Sequence, residues 1–415
     1  MIVLALYYVT LTLLVAYAAH RLWLSLLLVG RKPAVGRREW TGELPRVTVQ
    51  LPLYNEQFVA ERLLRSVAAL DYPRERFEVQ VLDDSTDATA EIVERVSAEL
   101  RAAGTEIRVL RRDTRTGYKA GALAQGTEVA TGAFIAIFDA DFVPEPGFLR
   151  EVLSGFEDDR VGMVQARWEH LNLEESWLTR LQGVLLDGHF AVEQAARSAT
   201  GRFFNFNGTA GMWRREAIAE AGGWQGDTLT EDLDLSYRAQ LKGWRFIYLD
   251  GVTVPAEVPS DLGGFVSQQQ RWAKGSVETL LKLWRPIVWA RLPFVVWREA
   301  LVHLTSNLCY LLTVLLALLM PPAVWLRRTG GWEWLWMLDV VLLAAGGGIM
   351  DRKKIESVDL HSRHAEGRRS IDNVSAGHGP GRGRRFRVAV VLEDEDDRQL
   401  EHRCEVEALE GHALI

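Results

Sequence analysis

Gly132-Ala-Phe-Ile-Ala-Ile-Phe-Asp-Ala-Asp-Phe142 is the stretch on which the fold turns. Residues Phe134–Phe138 are β-branched and aromatic enough to make a buried strand. Asp139 and Asp141 then stand at its C-terminal end, where open α/β sheets place their ligands. Alternate residues of an extended chain point the same way, so both carboxylates can face one hard divalent cation. Such a cation could also hold the phosphates of a nucleotide. An Asp pair that merely caps a turn is the plainer reading of this stretch taken alone.

Upstream of it, from Arg46, short apolar runs alternate with helical stretches. Val47–Leu51 reads as a strand ending at Pro52-Leu-Tyr-Asn-Glu56, and Val59–Leu70 has helical spacing. Glu78–Leu82 is a second strand that runs into Asp83-Asp84-Ser-Thr-Asp87, with a helix following through Leu100. Ile107–Leu110 is a third strand and Phe134–Phe138 a fourth. This alternation implies right-handed βαβ crossovers and a mainly parallel sheet.

Downstream the pattern is mixed, with helical spacing in Glu145–Phe156 and Trp177–Ala196 and an aromatic, glycine-rich stretch Arg202–Arg215. Thr230-Glu231-Asp232-Leu-Asp234 opens a helix to Lys242, and Trp244–Leu249 is a last strand. Gln268–Trp272 stands at the head of Ser276–Trp289, which is apolar on one side with Glu278, Lys282 and Arg285 interspersed. That segment suits either a helix lying on a membrane surface or one packed on a core.

The flanks are apolar. Ile2–Ala19 carries no charge, and after His20-Arg21 the apolar character resumes to Val29, enough to span a bilayer core of about 30 Å. The run is longer than the apolar part of a cleaved signal peptide and lacks a basic segment before it. Arg31, Lys32, Arg37 and Arg38 follow, which places the downstream chain in the cytoplasm. Leu301–Leu326 and Trp332–Met350 are further spanning candidates, the latter with Trp332, Trp334 and Trp336 as an interface belt. Arg327-Arg328 between them would face outward, against the positive-inside rule, unless the two form a re-entrant hairpin. The expected organisation is a transmembrane helix in 1–30, a cytoplasmic domain over 45–293 and transmembrane helices over 294–350, a multi-pass protein of the cell (inner) membrane. Residues 351–415, with Gly/Arg-rich Gly377–Arg385 and acidic Glu393–Asp397, read as a solvated, poorly ordered tail or as a change of reading frame.

The 415 residues suffice for one large or two modest domains. A net charge of −7 argues against nucleic acid as the main partner. Cys309 and Cys404 allow one disulfide at most, which fits a reducing cytosol.

Asp83-Asp84, Asp139 with Asp141, Glu231-Asp232 and Gln268…Arg271-Trp272 all fall at strand ends or helix starts. Arg115-Thr-Gly-Tyr-Lys119 adds a basic pair across a glycine turn, suited to phosphate oxygens. The combination suggests phosphate as a leaving group. In displacement at a sugar C1, a carboxylate base activates the acceptor hydroxyl while cations take up charge on the departing diphosphate. One carboxylate with no covalent partner suffices for inversion. No Cys or His neighbours Asp139 and Asp141, which favours Mg²⁺ or Mn²⁺ over zinc. At a helix start, Asp232 is expected to be ionised by the dipole and the free amides.

The ordered set Leu-Pro-Leu-Tyr-Asn-Glu, Asp-Asp-Ser-Thr-Asp, Gly-Tyr-Lys-Ala-Gly-Ala-Leu, Asp-Ala-Asp, Thr-Glu-Asp and Gln-Gln-Gln-Arg-Trp resembles the family 2 glycosyltransferases, in their membrane-embedded cellulose-synthase-like branch. Phe204-Asn-Phe-Asn-Gly-Thr-Ala-Gly-Met-Trp-Arg and Thr230-Glu-Asp-Leu-Asp-Leu-Ser-Tyr-Arg-Ala-Gln-Leu-Lys-Gly-Trp are most similar to its mannan/glucan synthase-like members. The likeness covers Pro45 to Ile287 and the flanking helices; the tail departs from the family pattern of further membrane helices. It implies a GT-A-like, Rossmann-like α/β domain with flanking transmembrane helices. It also implies an inverting, metal-dependent transfer of hexose from a nucleotide-diphosphate sugar, of UDP-glucose or GDP-mannose type, to a growing β-linked polysaccharide.

By the same resemblance Asp84, with Asp83 beside it, contacts the nucleotide. Asp139 assists nucleotide and metal, and Asp141 is the direct ligand of Mg²⁺ or Mn²⁺. Lys119 and Arg115 face the diphosphate, and Asp232 is the general base, with Glu231 beside it among the substrate-binding residues. Gln268, Arg271 and Trp272 close over donor and acceptor. Single transfer to a membrane lipid, as in ceramide glucosyltransferases, and a non-catalytic scaffold subunit are the alternatives. Asp87 reads as a helix cap, Asp234 as a loop-orienting residue, and Trp213, Trp224 and Trp244 as core. Tyr54 and Glu56 either touch the nucleobase or shape their loop.

Overall fold

The computed structural model describes residues 1–29, 40, 42–156, 158–347, 386–393 and 399–406. The chain divides into two compact units, Met1–Ile349 and Met350–Ile415. The first is built on a seven-stranded sheet of β1 (Val47–Leu53), β2 (Phe77–Asp83), β3 (Ile107–Leu110), β4 (Phe134–Ile137), β5 (Val161–His170), β6 (Gly211–Arg214) and β7 (Arg245–Ala256). Their spatial order is β3-β2-β1-β4-β6-β5-β7. All neighbouring pairs are parallel except those made by β6, which runs antiparallel to β4 and to β5.

The parallel half follows from residues that suit a doubly covered strand. Val47, Val49, Leu51 and Leu53 of β1 pack with Val79, Val81 and Phe138 on one face. On the other face Thr48 and Gln50 are buried as well. Thr48 Oγ1 donates to Glu78 Oε1 (2.5 Å) and Gln50 Nε2 to Gln80 Oε1 (3.0 Å), so these polar side chains pair across the two strands.

Three expectations are corrected. Val161–His170 is a ten-residue strand that its apolar pattern did not single out, and it extends the pairing of β7 to Ala256. The glycine-rich stretch contributes β6, a four-residue strand whose first residue, Gly211, faces Ile137 of β4. Its reversed direction brings Gly208–Ala210 alongside the end of β4, with Ala210 N–H on Ile137 O at 2.9 Å. Gln268–Trp272 does not stand at the head of a helix beginning at Ser276; one helix, Leu262–Trp289, runs through it, capped by the Asp261 carboxylate on Gly264 N–H.

Among the described residues two helices are long and apolar enough to cross a bilayer, Ile2–Leu28 and Leu308–Gly330. They pack on each other through Leu4, Tyr7, Leu11 and Ala323. The expected span Leu301–Leu326 is divided, because the helix Phe294–Thr305 ends at Ser306-Asn307 and a new one starts at Leu308. Pro321 and Pro322 lie inside that second helix. Beyond it, Trp336–Gly347 is helical. Arg31, Lys32, Arg37, Arg38, Gly348–Met350 and Gly377–Arg385 lie outside the described residues. In the second unit the described residues form an antiparallel ribbon of β8 (Phe386–Glu393) and β9 (Gln399–Val406).

Candidate functional site

The C-terminal ends of β1, β2 and β4 carry the acidic motifs, as expected of an open parallel sheet. β2 and β3 pair in register, Leu82 opposite Leu110, so the next residues of the two strands meet in the same order. Asp83 receives Arg111 Nε at 3.1 Å. Asp84 is held bidentately by Arg112, Nε to Oδ1 at 2.9 Å and Nη2 to Oδ2. Neither arginine was singled out from the sequence. The signal was there: Val-Leu-Asp-Asp and Val-Leu-Arg-Arg close two adjacent parallel strands, and register alone pairs their charges.

Asp139 leaves the end of β4 with its N–H on Thr209 Oγ1 (2.9 Å), from the loop before β6. Its Oδ1 accepts Lys119 Nζ at 2.5 Å, and the same ammonium donates to Gly208 O at 3.0 Å. Burial would lower the Lys119 pKa, but Asp139 and then Glu231 outweigh it and the group is held charged. Asp141 shows the opposite balance: burial, then the charges of Asp139 and Glu56, push it up to about 7. Glu56 is itself raised, by burial and then by Asp139. The loop carrying Glu56 thus faces the acidic site. Among the described residues no three His, Cys, Asp or Glu side chains gather as a metal cage. Asp139 and Asp141 nonetheless suit Mg²⁺ or Mn²⁺. Such ions take hard oxygens, one or two protein carboxylates and the remainder from phosphate and water, and the crowded carboxylates that raise Asp141 favour a cation between them.

Glu231 and Asp232 begin the helix Glu231–Leu241. Burial and then Glu231 push Asp232 up to about 7, despite the Leu233 N–H that donates to its Oδ1 at 2.8 Å. This corrects the expectation of a freely ionised carboxylate: the helix start is outweighed by desolvation and a like charge. Gly208 marks where Asp232 and Lys119 come together. Its φ is +83°, and a Cβ there would lie 3.2 Å from Asp232 Oδ2 and 3.4 Å from Lys119 Nζ. A side chain would fill the space between them, so glycine keeps it open.

Arg115 stacks on Tyr54, 3.3 Å from its ring centroid, with the Tyr118 ring at 5.2 Å, and lies 4.0 Å from Asp84. It therefore stands at the Asp84 end of the site. Asn55, Tyr118 and Ala210 are the non-glycine residues with positive φ among the described ones (59°, 50° and 54°), and all three flank the site. Backbone strain of this kind persists where surrounding structure over-determines it.

Gln268, Arg271 and Trp272 are set on the helix Leu262–Trp289, which reaches the start of the helix Glu231–Leu241 through Gly275. A Cβ at Gly275 would lie 2.5 Å from Thr230 Cγ2, next to Glu231, and Glu278 accepts Leu229 N–H at 2.8 Å. Arg271 is exposed and donates to Ser267 of its own helix at 3.1 Å. The three therefore lie one to two turns from that contact, while Asp139, Asp141, Glu231 and Asp232 gather around Lys119. Asp234 is fully buried against Arg238. Asp87 accepts Thr89 N–H at 3.0 Å at a helix start, and Trp213, Trp224 and Trp244 are buried, as expected.

The family profile described as "Glycosyltransferase like family 2" matches residues 45–275. Glucomannan 4-beta-mannosyltransferase 1 of Oryza sativa subsp. japonica is 40% identical over 297 residues, covering 68% of this chain and 57% of that protein. Glucomannan 4-beta-mannosyltransferase 1 of Cyamopsis tetragonoloba is 44% identical over 255 residues, covering 60% and 48%. The chain spans about half the length of the curated relatives it matches. A mannosyltransferase from Pyrobaculum calidifontis, solved in complex with GDP-Man and Mn2+, has a TM-score of 0.64 at 22% identity, covering 83% of this chain and 97% of that one. This is a likeness of fold, the GT-A-like mainly parallel sheet.

Proposed function

The chain belongs to the family described as glycosyltransferase like family 2, and from that premise we propose that it moves a mannosyl unit from a nucleotide-diphosphate sugar to a growing β-linked polysaccharide, with inversion. The observation that carries this reading is the placement of Asp232 Oδ2 and Lys119 Nζ on either side of Gly208. The reaction needs a base for the acceptor and a cation for the leaving group, and a carboxylate and an ammonium are of the right kind for those two roles. The choice of mannose rests on the relatives, whose names are those of glucomannan mannosyltransferases.

Asp84, fixed by Arg112, takes the nucleoside end, and Lys119 neutralises the diphosphate. Asp232 accepts the proton of the acceptor hydroxyl as its oxygen bonds C1. The C1–O bond breaks on the opposite face, and its electron pair departs with the nucleoside diphosphate. A carboxylate with a pKa near 7 is well matched to this task near neutral pH. Asp141 with Asp139 would hold Mg²⁺ or Mn²⁺, which when bound supplies positive charge to the diphosphate. The helices Ile2–Leu28 and Leu308–Gly330 would anchor the protein in the cell membrane with residues 45–293 in the cytoplasm, where nucleotide sugars are found.

Membranes carrying the full chain, given Mn²⁺ and either GDP-mannose or UDP-glucose, test this reading. A polymer made from GDP-mannose and degraded by a β-mannanase is the expected product. A single sugar on extracted lipid would replace the polymer acceptor, and no transfer from any donor would overturn the proposal.

A further inference from the structure

We propose that Arg112 is a positioning residue that couples the nucleoside-binding carboxylate Asp84 to the turn that aims Lys119. The inference rests on the function proposed above. Arg112 and Asp84 are largely buried, with side-chain exposures of 12% and 7%. Beyond its two bonds to Asp84, Arg112 donates from Nη1 to Thr116 O and from Nη2 to Tyr118 O, both at 2.8 Å. One guanidinium thus joins the end of β2 to the residues immediately before Lys119.

That turn needs holding. Gly117 and Tyr118 both have positive φ, 71° and 50°, and the second is costly for an aromatic residue. Two carbonyl acceptors pinned by a cation offset this cost. The fit is close: a Cβ at Gly121 would lie 2.1 Å from Thr116 O and 2.4 Å from Arg112 Nη1, so only glycine lets the guanidinium reach the turn. Gly226 closes on the same turn, and a Cβ on Gly226 would lie 2.7 Å from Gly117 Cα. Lys119 follows one residue after Tyr118 and reaches Asp139 Oδ1 and Gly208 O.

The fork geometry is what does the coupling. A guanidinium presents parallel donors to a carboxylate and keeps outer N–H groups for carbonyls, whereas an ammonium is a single point. Arg112→Lys keeps the charge and loses the coupling. The nucleoside end then loses the aligned Asp84, and the diphosphate end loses an aimed Lys119.

Affinities for GDP and GMP, measured by calorimetry on the full chain in detergent at fixed Mn²⁺, separate the two ends. Arg112→Lys is expected to weaken GDP roughly 10- to 100-fold, the loss expected for a charge-assisted hydrogen bond, and to narrow the preference for GDP over GMP. Asp84→Asn, which removes the carboxylate that anchors the guanidinium, is expected to weaken both nucleotides and to narrow the same preference, less than Arg112→Lys does because the turn keeps its two bonds from Arg112. In the Lys119→Met background, Arg112→Lys should no longer alter that ratio, because the two share one pathway. A purely structural role would lower the folded fraction and leave the ratio intact. Arg112→Gln is the second variant should Arg112→Lys not fold. Wild-type-like GDP/GMP ratios in the folded Arg112 variants, or additive effects with Lys119→Met, would overturn the inference while leaving the proposed function standing. A wild-type chain that binds neither GDP nor UDP would overturn both.

Discussion

Lys282 Nζ lies 3.0 Å from Asp234 Oδ1 and so ties the helix that carries Asp232 to the helix that carries Gln268, Arg271 and Trp272. The same ammonium bonds Gln225 and Asp227, both at 2.7 Å, in the loop that leads to Asp232. Asp234 Oδ2 in turn accepts Arg238 Nε at 2.8 Å and Nη2 at 2.7 Å. Asp234 therefore joins two helices, and not only its own loop.

Removing it is expected to cost stability before chemistry. Truncating one partner of a buried ion pair typically costs about 3–5 kcal/mol, and Asp234 is fully buried. Asp234→Ala should lower the thermal midpoint clearly, with nucleotide affinity kept in the folded fraction. An unchanged midpoint would remove the structural role.

Asp232→Asn is expected to bind nucleotide sugar nearly as the wild type does and to transfer about 10²–10⁴-fold more slowly. Donor affinity measured beside turnover decides this. Near-normal transfer would move the base, with Glu231 the first residue to examine.

The raised pKa of Asp232 makes two pH statements. As a base it must be ionised, so kcat/KM should fall as pH drops below about 7. Its effect on stability has the opposite direction. An unfolded Asp titrates near 3.9, so between there and about 7 the native state holds the extra proton. Stability contributed by the protonated form is full below the lower value and is lost as pH rises through the upper one. Asp232→Asn should lack this component, so its unfolding free energy should gain on the wild type between about pH 4 and about pH 7, a window set by the two pKa values. Parallel pH–stability curves for the two proteins would contradict the assignment.

Metal affinity should follow the titration of Asp141. A ligand must be deprotonated to bind, and Asp141 is pushed up to about 7 by burial and Asp139. Mn²⁺ binding, read by electron paramagnetic resonance, is therefore expected to be tighter at pH 8 than at pH 6 and to be lost in Asp141→Asn. Equal affinity at both pH values would count against Asp141 as the ligand.

Sequence alone determined the β-α alternation from Val47 to Phe138, because strand and helix periods are local properties of the chain. For the same reason it located Asp83, Asp84, Asp139 and Asp141, which stand where apolar strands end. The buried tryptophans and the Asp87 cap were also legible, since size and local hydrogen bonding decide them. β6 was not legible: four residues beside glycines carry no period, and only the free edges of β4 and β5 select the strand and its reversed direction. The ion pairs of Arg111 and Arg112 depend on strand register, and the continuity of Leu262–Trp289 on packing between Gly275 and Thr230. Tertiary structure also raised the Asp232 pKa. A helix start favours its charge, but burial beside Glu231 disfavours it more strongly, and burial is a property of the folded chain and not of the motif.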